Sequence, residues 1–219
     1  MVSNAQWSEL RFRGADAWDY LQGQMTQDIQ PGIRDWLWTA LLQPDSTVVA
    51  VGLIGQEGGL PVLRIPEAEK EFTTNRLARF RLRSDVAWDV HDVTNPFGGE
   101  SPRIQAGFPG PVECERDVTP HTFGPEFVAK TISFSKGCFT GQELVGRLDS
   151  RGGNVPWRMV RWRGDRREAA DVWMKSVGPV GPSGVTSWDE DSGWGLGFVH
   201  RTHGISGDLP GGMSWCALA

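Results

Sequence analysis

Hydrophobic positions in the first part of the chain change period, from the two-residue alternation of a strand to the spacing of a helix. Residues 10–13 alternate, and apolar residues then recur at helical spacing until Pro31 ends the run. Two later apolar runs, 48–54 and 60–65, are joined by a glycine-rich turn and are typical of paired strands. The pattern therefore predicts a strand, a helix and a β-hairpin, in that order.

A second helix is predicted over 66–82, and an alternating strand follows it at 86–90. In this prediction Phe72 and Leu77 face inward, whereas Arg76 lies on the outer face of the helix. Strand, helix, strand, strand, helix, strand is the order of a ferredoxin-like split unit. We therefore expect an α+β lobe that spans residues 1–94.

Glycine and proline mark the limits of two further units. A turn-rich stretch begins at residue 95, and from there we place a central segment at 95–152. The remainder, 153–219, is rich in glycine and carries short apolar runs, so we expect a small β-rich, barrel-like module. The strands predicted in this module are 158–163, 172–175 and 195–200.

The composition narrows the class of protein. A net charge of −5 and a pI near 5.4 argue against a general nucleic-acid binder, so direct nucleic-acid binding is not expected. The sequence has no long apolar run and no signal-like start, so we expect neither a membrane span nor secretion.

Three cysteines without a CxxC pair (Cys114, Cys138, Cys216) favour free thiols in the cytoplasm. The four histidines lack the spacing of a metal site, and none is expected.

One segment concentrates residue types that carry chemistry: Lys136-Gly-Cys-Phe-Thr-Gly-Gln-Glu143, which leads into a predicted helix. A glycine-rich turn that opens a helix directs unpaired N–H groups at one point, which suits an anionic or electron-rich ligand. The helix dipole and the ammonium of Lys136 both favour a thiolate at Cys138, so we predict these two as the catalytic residues. Glu143, in the first turn, can accept two donors from a planar heterocycle.

A structural explanation of the same segment stays open. In it, Gly137 and Gly141 only shape a turn, Cys138 is a small buried residue, and Glu143 is a cap partner.

Two other chemistries also stay open. A Cys–His hydrolase would pair Cys138 with His91 or His121, because such partners meet only in the folded chain. Arginines are frequent between 147 and 167. One explanation is that these arginines bind a polyglutamate tail or an RNA phosphate. The other, which is favoured, is that they form a solvated face of a strand.

The segment 136–151 resembles the signature of the YgfZ-type proteins, which are relatives of the T-protein (aminomethyltransferase) of the glycine cleavage system. Lys-Gly-Cys-(Tyr/Phe)-Thr-Gly-Gln-Glu is highly specific for that family. Three further stretches agree with the family in order and spacing. They are Ala17-Trp-Asp-Tyr-Leu-Gln-Gly-Gln-Met-Thr-Gln-Asp28, Ala40-Leu-Leu-Gln-Pro44 and Pro102-Arg-Ile-Gln-Ala-Gly-Phe-Pro109. The resemblance covers residues 8–151 well and the C-terminal module loosely.

This resemblance implies a three-lobed aminomethyltransferase-like fold around a site for tetrahydrofolate or a related reduced folate. It also implies a folate-dependent role in making or maintaining iron–sulfur enzymes, including those that thiolate tRNA, so iron–sulfur client proteins are expected partners. Lys136 and Cys138 are the residues that it implies are essential. The residues assigned to cofactor binding are Gly137, Thr140, Gln142, Glu143, Arg147, Arg151, Gln105 and Gln24.

The chain departs from the family's pattern at several positions. Asp45-Ser46 replaces the family's Lys-Gly turn. Val51 stands where relatives have an aspartate, and Gln105 stands where they have a glutamate that would pair with the donor edge of a pterin. Aminomethyl transfer needs a group that orients the folate nitrogen and steadies developing positive charge. We therefore predict a folate-binding accessory protein with a reactive cysteine. The alternatives are a tetrahydrofolate-dependent aminomethyl or one-carbon transferase and a non-catalytic interaction module.

Overall fold

A computed structural model of the chain describes residues 6–176, 178–209 and 211–218. The fold is α+β, with two five-stranded antiparallel sheets joined by a mostly helical segment. No helix in the described residues combines the length and the apolar character that crossing a bilayer requires.

The first sheet is built from the N-terminal strands. These strands are β1 (Trp7–Arg13), β2 (Leu37–Leu42), β3 (Val48–Glu57), β4 (Leu60–Pro66) and β5 (Ala87–Val93). Their order in the sheet is β2-β3-β4-β1-β5, and every neighbouring pair is antiparallel. Helix α1 (Ala17–Gln24) follows β1, and helix α2 (Lys70–Phe80) follows β4 after a single 3₁₀ turn, Glu67–Glu69.

The predicted split unit is present in this sheet, with one strand added at its edge. Without β2, the order β3-β4-β1-β5 is that of the strand–helix–strand–strand–helix–strand unit. Strand β2 was not predicted, because Leu37–Leu42 does not alternate. Its last four residues are all buried, and a short unbroken apolar run gives no strand period to read.

The face predicted for helix α2 was correct at Leu77 and wrong at Phe72 and Arg76. Phe72 is 68% exposed, whereas Arg76 is buried. The face that packs on the sheet is formed by Thr73, Arg76 and Leu77, which have the i, i+3, i+4 spacing of one helix face. The Arg76 guanidinium is accommodated there because it donates to the carbonyl of Leu42 and lies over the Phe80 ring.

The central segment contains short helices that pack against both sheets. They are α3 (Glu100–Ala106), α4 (Pro111–Cys114), the 3₁₀ turn Pro120–Phe123, α5 (Pro125–Thr131) and α6 (Gln142–Ser150). A buried apolar cluster joins residues of β2 and β3, such as Leu42, to Phe123 and Phe127 in this segment and to Phe198 beyond it.

The second sheet contains the C-terminal strands. These are β6 (Trp157–Arg163), β7 (Gly184–Asp189), β8 (Trp194–His200), β9 (Ser206–Leu209) and β10 (Met213–Ala217), and their order is β7-β8-β6-β10-β9. This order begins and ends on different strands, so the described residues form an open sheet and not the barrel-like closure that we expected. A last 3₁₀ turn is Arg201–His203.

The strand predicted at 172–175 was also wrong, because these residues belong to helix α7 (Arg167–Lys175). Its buried residues, Ala170 and Met174, are four apart, which is the helical spacing. The strands predicted at 158–163 and 195–200 correspond to β6 and β8.

Arg103 in α3 connects the helical segment to the second sheet. Its guanidinium donates to the Glu113 carboxylate at 3.1 Å and to the Ser187 hydroxyl in β7 at 3.0 Å. Glu113 in turn accepts from Ser187 at 2.7 Å. Both charged groups are buried, so this pair ties α3, α4 and β7 together with its hydrogen bonds satisfied.

Candidate functional site

The loop that carries the predicted catalytic residues runs from the end of α5 to the start of α6, and it lies against the first sheet's connections. The backbone N–H of Ser133 donates to the carbonyl of Thr26, and that of Thr140 donates to Gly23, both at 3.0 Å. These bonds hold both ends of the loop beside the C-terminal end of α1. Residues that are more than a hundred positions apart are therefore fixed next to each other.

Lys136 is the main fastening of this loop. Its side chain is buried, and Nζ donates to the carbonyl oxygens of Gln22, Met25 and Gln27 at 2.7, 2.7 and 2.8 Å. An ammonium has three hydrogens, so all of them are used inside the fold. The Gln22 carbonyl lies in the last turn of α1, where a cation is favourable, and the other two carbonyls follow the end of the helix.

Burial lowers the pKa of Lys136 to about 8, with the Asp28 carboxylate opposing the shift. Because the value lies above neutrality, the ammonium form predominates at pH 7. The three carbonyls accept hydrogen bonds only, so they also favour the charged form. The structure therefore places Lys136 as an anchor of the loop rather than as a group that faces solvent.

Cys138 lies on the outer part of the same loop and is exposed, as is Gly137. Cys114 is buried and Cys216 is partly exposed, so Cys138 is the most accessible of the three thiols. The alternative in which Cys138 is a small buried residue is wrong. Phe139, next in the chain, is buried and gives the loop a second, apolar anchor.

Gln24 and Thr140, both predicted to bind cofactor, meet beneath the loop. The Gln24 side-chain oxygen accepts from Arg76 Nη1 at 3.0 Å and from the Thr140 hydroxyl at 3.4 Å. Gln24 is buried. Arg76 was missed by the sequence analysis, because its place on the helix predicted a solvated arginine.

Gly141 closes the loop and shows how one family departure is accommodated. Its φ is 84°, and a Cβ at this position would lie 2.7 Å from the carbonyl oxygen of Gln43. The Gly141 carbonyl accepts from the Ser46 hydroxyl at 2.6 Å. Ser46 itself has a φ of 71°, a conformation that favours glycine, and it stands where the family has a Lys-Gly turn.

The polar residues of helix α6 point away from the fold. Glu143 and Arg147 pair with each other at 2.5 Å, and their side chains are 81% and 64% exposed. Arg151, just after the helix, is exposed, and Gln142 is partly exposed. Like Cys138, these predicted ligand residues are therefore partly or fully open to solvent.

Gln105 lies elsewhere, on the exposed side of α3. Its side-chain amide donates to the Ser101 hydroxyl at 3.0 Å, and its backbone carbonyl accepts from Arg161. The structure does not bring it to the 136–143 loop.

A cavity of ≈ 710 Å³, here called the Val51 cavity, lies between the first sheet and helices α3 and α4. Trp7 and Phe108 give it aromatic walls, and Glu67 and Glu100 give it carboxylates. Val51 lines it directly, at the position where the resemblance expects an aspartate. None of the residues predicted to bind cofactor is among those that line this cavity.

Glu69 lies buried next to Val51 and was not predicted. One carboxylate oxygen accepts from the Val51 N–H at 3.3 Å, and the buried Cys114 thiol is a weak donor to the same carboxyl. Burial raises the pKa of Glu69 to about 8, against a lowering effect of Cys114, so this carboxyl is mostly protonated at pH 7.

Comparison with known proteins supports the fold. The structure resembles the crystal structure of glycine cleavage system aminomethyltransferase T from Bartonella henselae, with a TM-score of 0.57 over 97% of this chain and 83% of that chain, at 11% sequence identity. A sequence relative is an uncharacterized protein of Haemophilus influenzae, 24% identical over 195 residues, with 70% of each chain covered. No protein-family model matches the sequence. The chain therefore has an aminomethyltransferase-like fold.

Proposed function

We propose that this protein binds a reduced folate and acts as an accessory factor for iron–sulfur enzymes through Cys138. The observation that carries the proposal is the exposure of Cys138 on a loop fastened by Lys136 within an aminomethyltransferase-like fold. An exposed thiol is available to a partner protein, and a fastened loop holds it at a fixed place.

The Val51 cavity is where we expect the folate. Its volume falls within the range of small-molecule sites. Trp7 and Phe108 offer aromatic surface for a flat heterocycle, and the carboxylates of Glu67 and Glu100 can accept from N–H groups on its edge. Folate binding at this cavity rests on the fold and on these wall residues.

The residues of the cavity favour an accessory role over aminomethyl transfer. Val51 is apolar and Glu69 behind it is mostly neutral at pH 7, so neither supplies a negative charge to a developing cation. Gln105 is an amide on the exposed side of α3. The transferase alternative therefore lacks a carboxylate at the two positions, 51 and 105, where the resemblance expects one.

The chemistry proposed for Cys138 is persulfide exchange. The thiolate attacks the outer sulfur of a client persulfide, so that a sulfur–sulfur bond forms at Cys138 and the client's own sulfur–sulfur bond breaks. The client cysteine leaves as a thiolate. No oxidant or reductant is consumed.

Calorimetric titration with tetrahydrofolate tests the folate proposal. We expect saturable heat with a Kd of about 10 µM. Val112→Trp places a bulky side chain on the lining of the Val51 cavity and should weaken binding at least about tenfold. Val172→Trp on helix α7 is the matched control, since both valines are exposed and Val172 is not among the residues that line the cavity.

The outcomes separate the alternatives. Absence of heat with any reduced folate contradicts the proposal and favours a non-catalytic interaction module. Formation of methylenetetrahydrofolate from an aminomethylated donor would establish the transferase instead. Cys138→Ser should keep folate binding and lose the ability to accept sulfur from a persulfide donor, measured by mass spectrometry of the intact protein.

A further inference from the structure

A second cavity lies between helix α5, the C-terminal end of α6 and the second sheet. Its volume is ≈ 800 Å³, and we call it the His121 cavity. Apolar side chains form most of its surface, among them Val128, Met159 and Leu218. Phe134 and Ile205 also line it while remaining largely exposed, so apolar surface extends to its mouth. Such a mixture of size and apolar lining is typical of small-molecule sites.

His121 is the polar group that this cavity leaves without a partner. Its side chain is only 5% exposed, and neither ring nitrogen has a hydrogen-bond partner. The Cys138–His121 pairing left open by the sequence is therefore not formed. Burial lowers the pKa of His121, with Asp149 opposing the shift, so the ring is neutral at pH 7. A neutral imidazole offers one donor and one acceptor, and burying both unpaired is costly.

Two charged side chains share the cavity with His121. The Asp149 carboxylate is 4.0 Å from His121 Nε2, which is too long for a hydrogen bond. Arg158 also lines the cavity, but it donates to the carbonyl of Gly204. The group next to the imidazole is therefore a hydrogen-bond acceptor with negative charge, which disfavours an anionic ligand at that point.

The backbone of Gly153 also contacts the imidazole. A Cβ at Gly153 would lie 3.2 Å from His121 Cδ2, so the backbone packs closely on the ring. The ring orientation is thus set by packing rather than by hydrogen bonds.

We infer that the His121 cavity binds an uncharged, flat and mostly apolar molecule that carries a primary amide or a similar paired donor and acceptor. The carbonyl of such a group accepts from the His121 ring, and its NH₂ donates to Asp149. The apolar body lies against Val128 and Met159. This site is separate from the Val51 cavity and from Cys138, and it does not depend on the function proposed above.

Benzamide is the probe, and binding is followed on the full chain by NMR of the labelled histidine rings. We expect saturable shifts of the His121 signals with a Kd of about 1 mM. Benzoate has the same shape but a negative charge, and it should bind at least about fivefold more weakly. Absence of saturation by about 10 mM benzamide, or equal binding of benzamide and benzoate, overturns the inference.

Single substitutions test whether benzamide binds at His121. His121→Phe keeps a ring of similar size and should weaken benzamide at least about fivefold. His91→Phe, at an exposed position of β5, should leave it unchanged. Should His121→Phe not fold, Asp149→Asn at a half-exposed side chain is the second test, and it should remove the preference for benzamide over benzoate.

Blocking the mouth of the His121 cavity tests whether this cavity is distinct from the folate site. Ala129 is exposed and lines the His121 cavity, so Ala129→Trp should weaken benzamide binding at least about fivefold while tetrahydrofolate binding stays unchanged. Ala106→Trp, at an exposed position of α3, is the matched control. Loss of tetrahydrofolate binding in Ala129→Trp would contradict the inference, since the two cavities would then serve one ligand.

Discussion

Lys136 and Cys138 are two residues apart in the sequence, yet they lie in different environments in the folded chain. The Lys136 side chain is buried and donates to three carbonyls, whereas Cys138 and the Glu143–Arg147 pair face solvent. A short sequence motif thus contains one part that fixes its position and another that meets other molecules. Residues that a motif groups together need not share one chemical role.

This comparison changes the role that we assign to Lys136. The sequence alone favours an ammonium that acts on the neighbouring thiol. In the structure its three hydrogens are all given to the backbone at the end of α1. We therefore expect changes at Lys136 to act mainly on stability, and changes at Cys138 to act mainly on reactivity.

The largest effect is expected from Lys136→Met. Methionine has a similar length but no donor, so the carbonyls of Gln22, Met25 and Gln27 would lose this donor at a buried or partly buried place. We expect a loss of about 3 kcal/mol in the free energy of unfolding, measured by urea denaturation. Lys130→Met removes an exposed lysine that pairs with Glu126, and its cost should stay below about 0.5 kcal/mol. Equal losses in the two variants would refute the anchoring role.

A smaller effect is expected from Gly141→Ala, at the inner end of the loop. The new Cβ would collide with the Gln43 carbonyl, and the positive φ is unfavourable for alanine. We expect a loss of about 2 kcal/mol, measured as a lower midpoint in urea. Gly137→Ala is the control, because a Cβ there meets nothing within 4 Å. A loss of stability in Gly137→Ala as large as that in Gly141→Ala would show that the two parts of the loop are equally constrained.

The smallest effect on stability is expected from Cys138→Ser. The side chain is exposed, so the change should alter the free energy of unfolding by less than about 0.5 kcal/mol. Differential scanning calorimetry against the unmodified protein measures this. A loss of more than about 1 kcal/mol would mean that Cys138 also belongs to the packed part of the loop.

Much of the first sheet could be predicted, because its strands and helices have clear periods. β2 could not, since its apolar residues do not alternate, and the buried face of α2 was predicted only in part because a buried arginine looks the same in sequence as a solvated one. The motif singled out Cys138 as a reactive cysteine, whereas its exposure is seen only in the structure. The three carbonyl partners of Lys136 come from residues more than a hundred positions away, so only the folded chain brings them together.

The two cavities also could be predicted only in part from the sequence. Val51 was singled out because the resemblance gives its position a meaning, and it lines a cavity. His121 was noticed only as a partner for Cys138. Its burial without hydrogen bonds results from the packing of α5, α6 and the second sheet, which no local pattern encodes.

The proposed role of Cys138 requires that the fold offers this thiol, and not Cys114, to a partner. The deciding measurement is iodoacetamide alkylation of the native protein at pH 7.5, followed site by site with mass spectrometry. Cys138 should react first, and Cys114 should react at least about a hundredfold more slowly, because it is buried and burial raises its pKa well above the usual range. Comparable rates at Cys138 and Cys114, or faster alkylation of Cys114, would contradict the account.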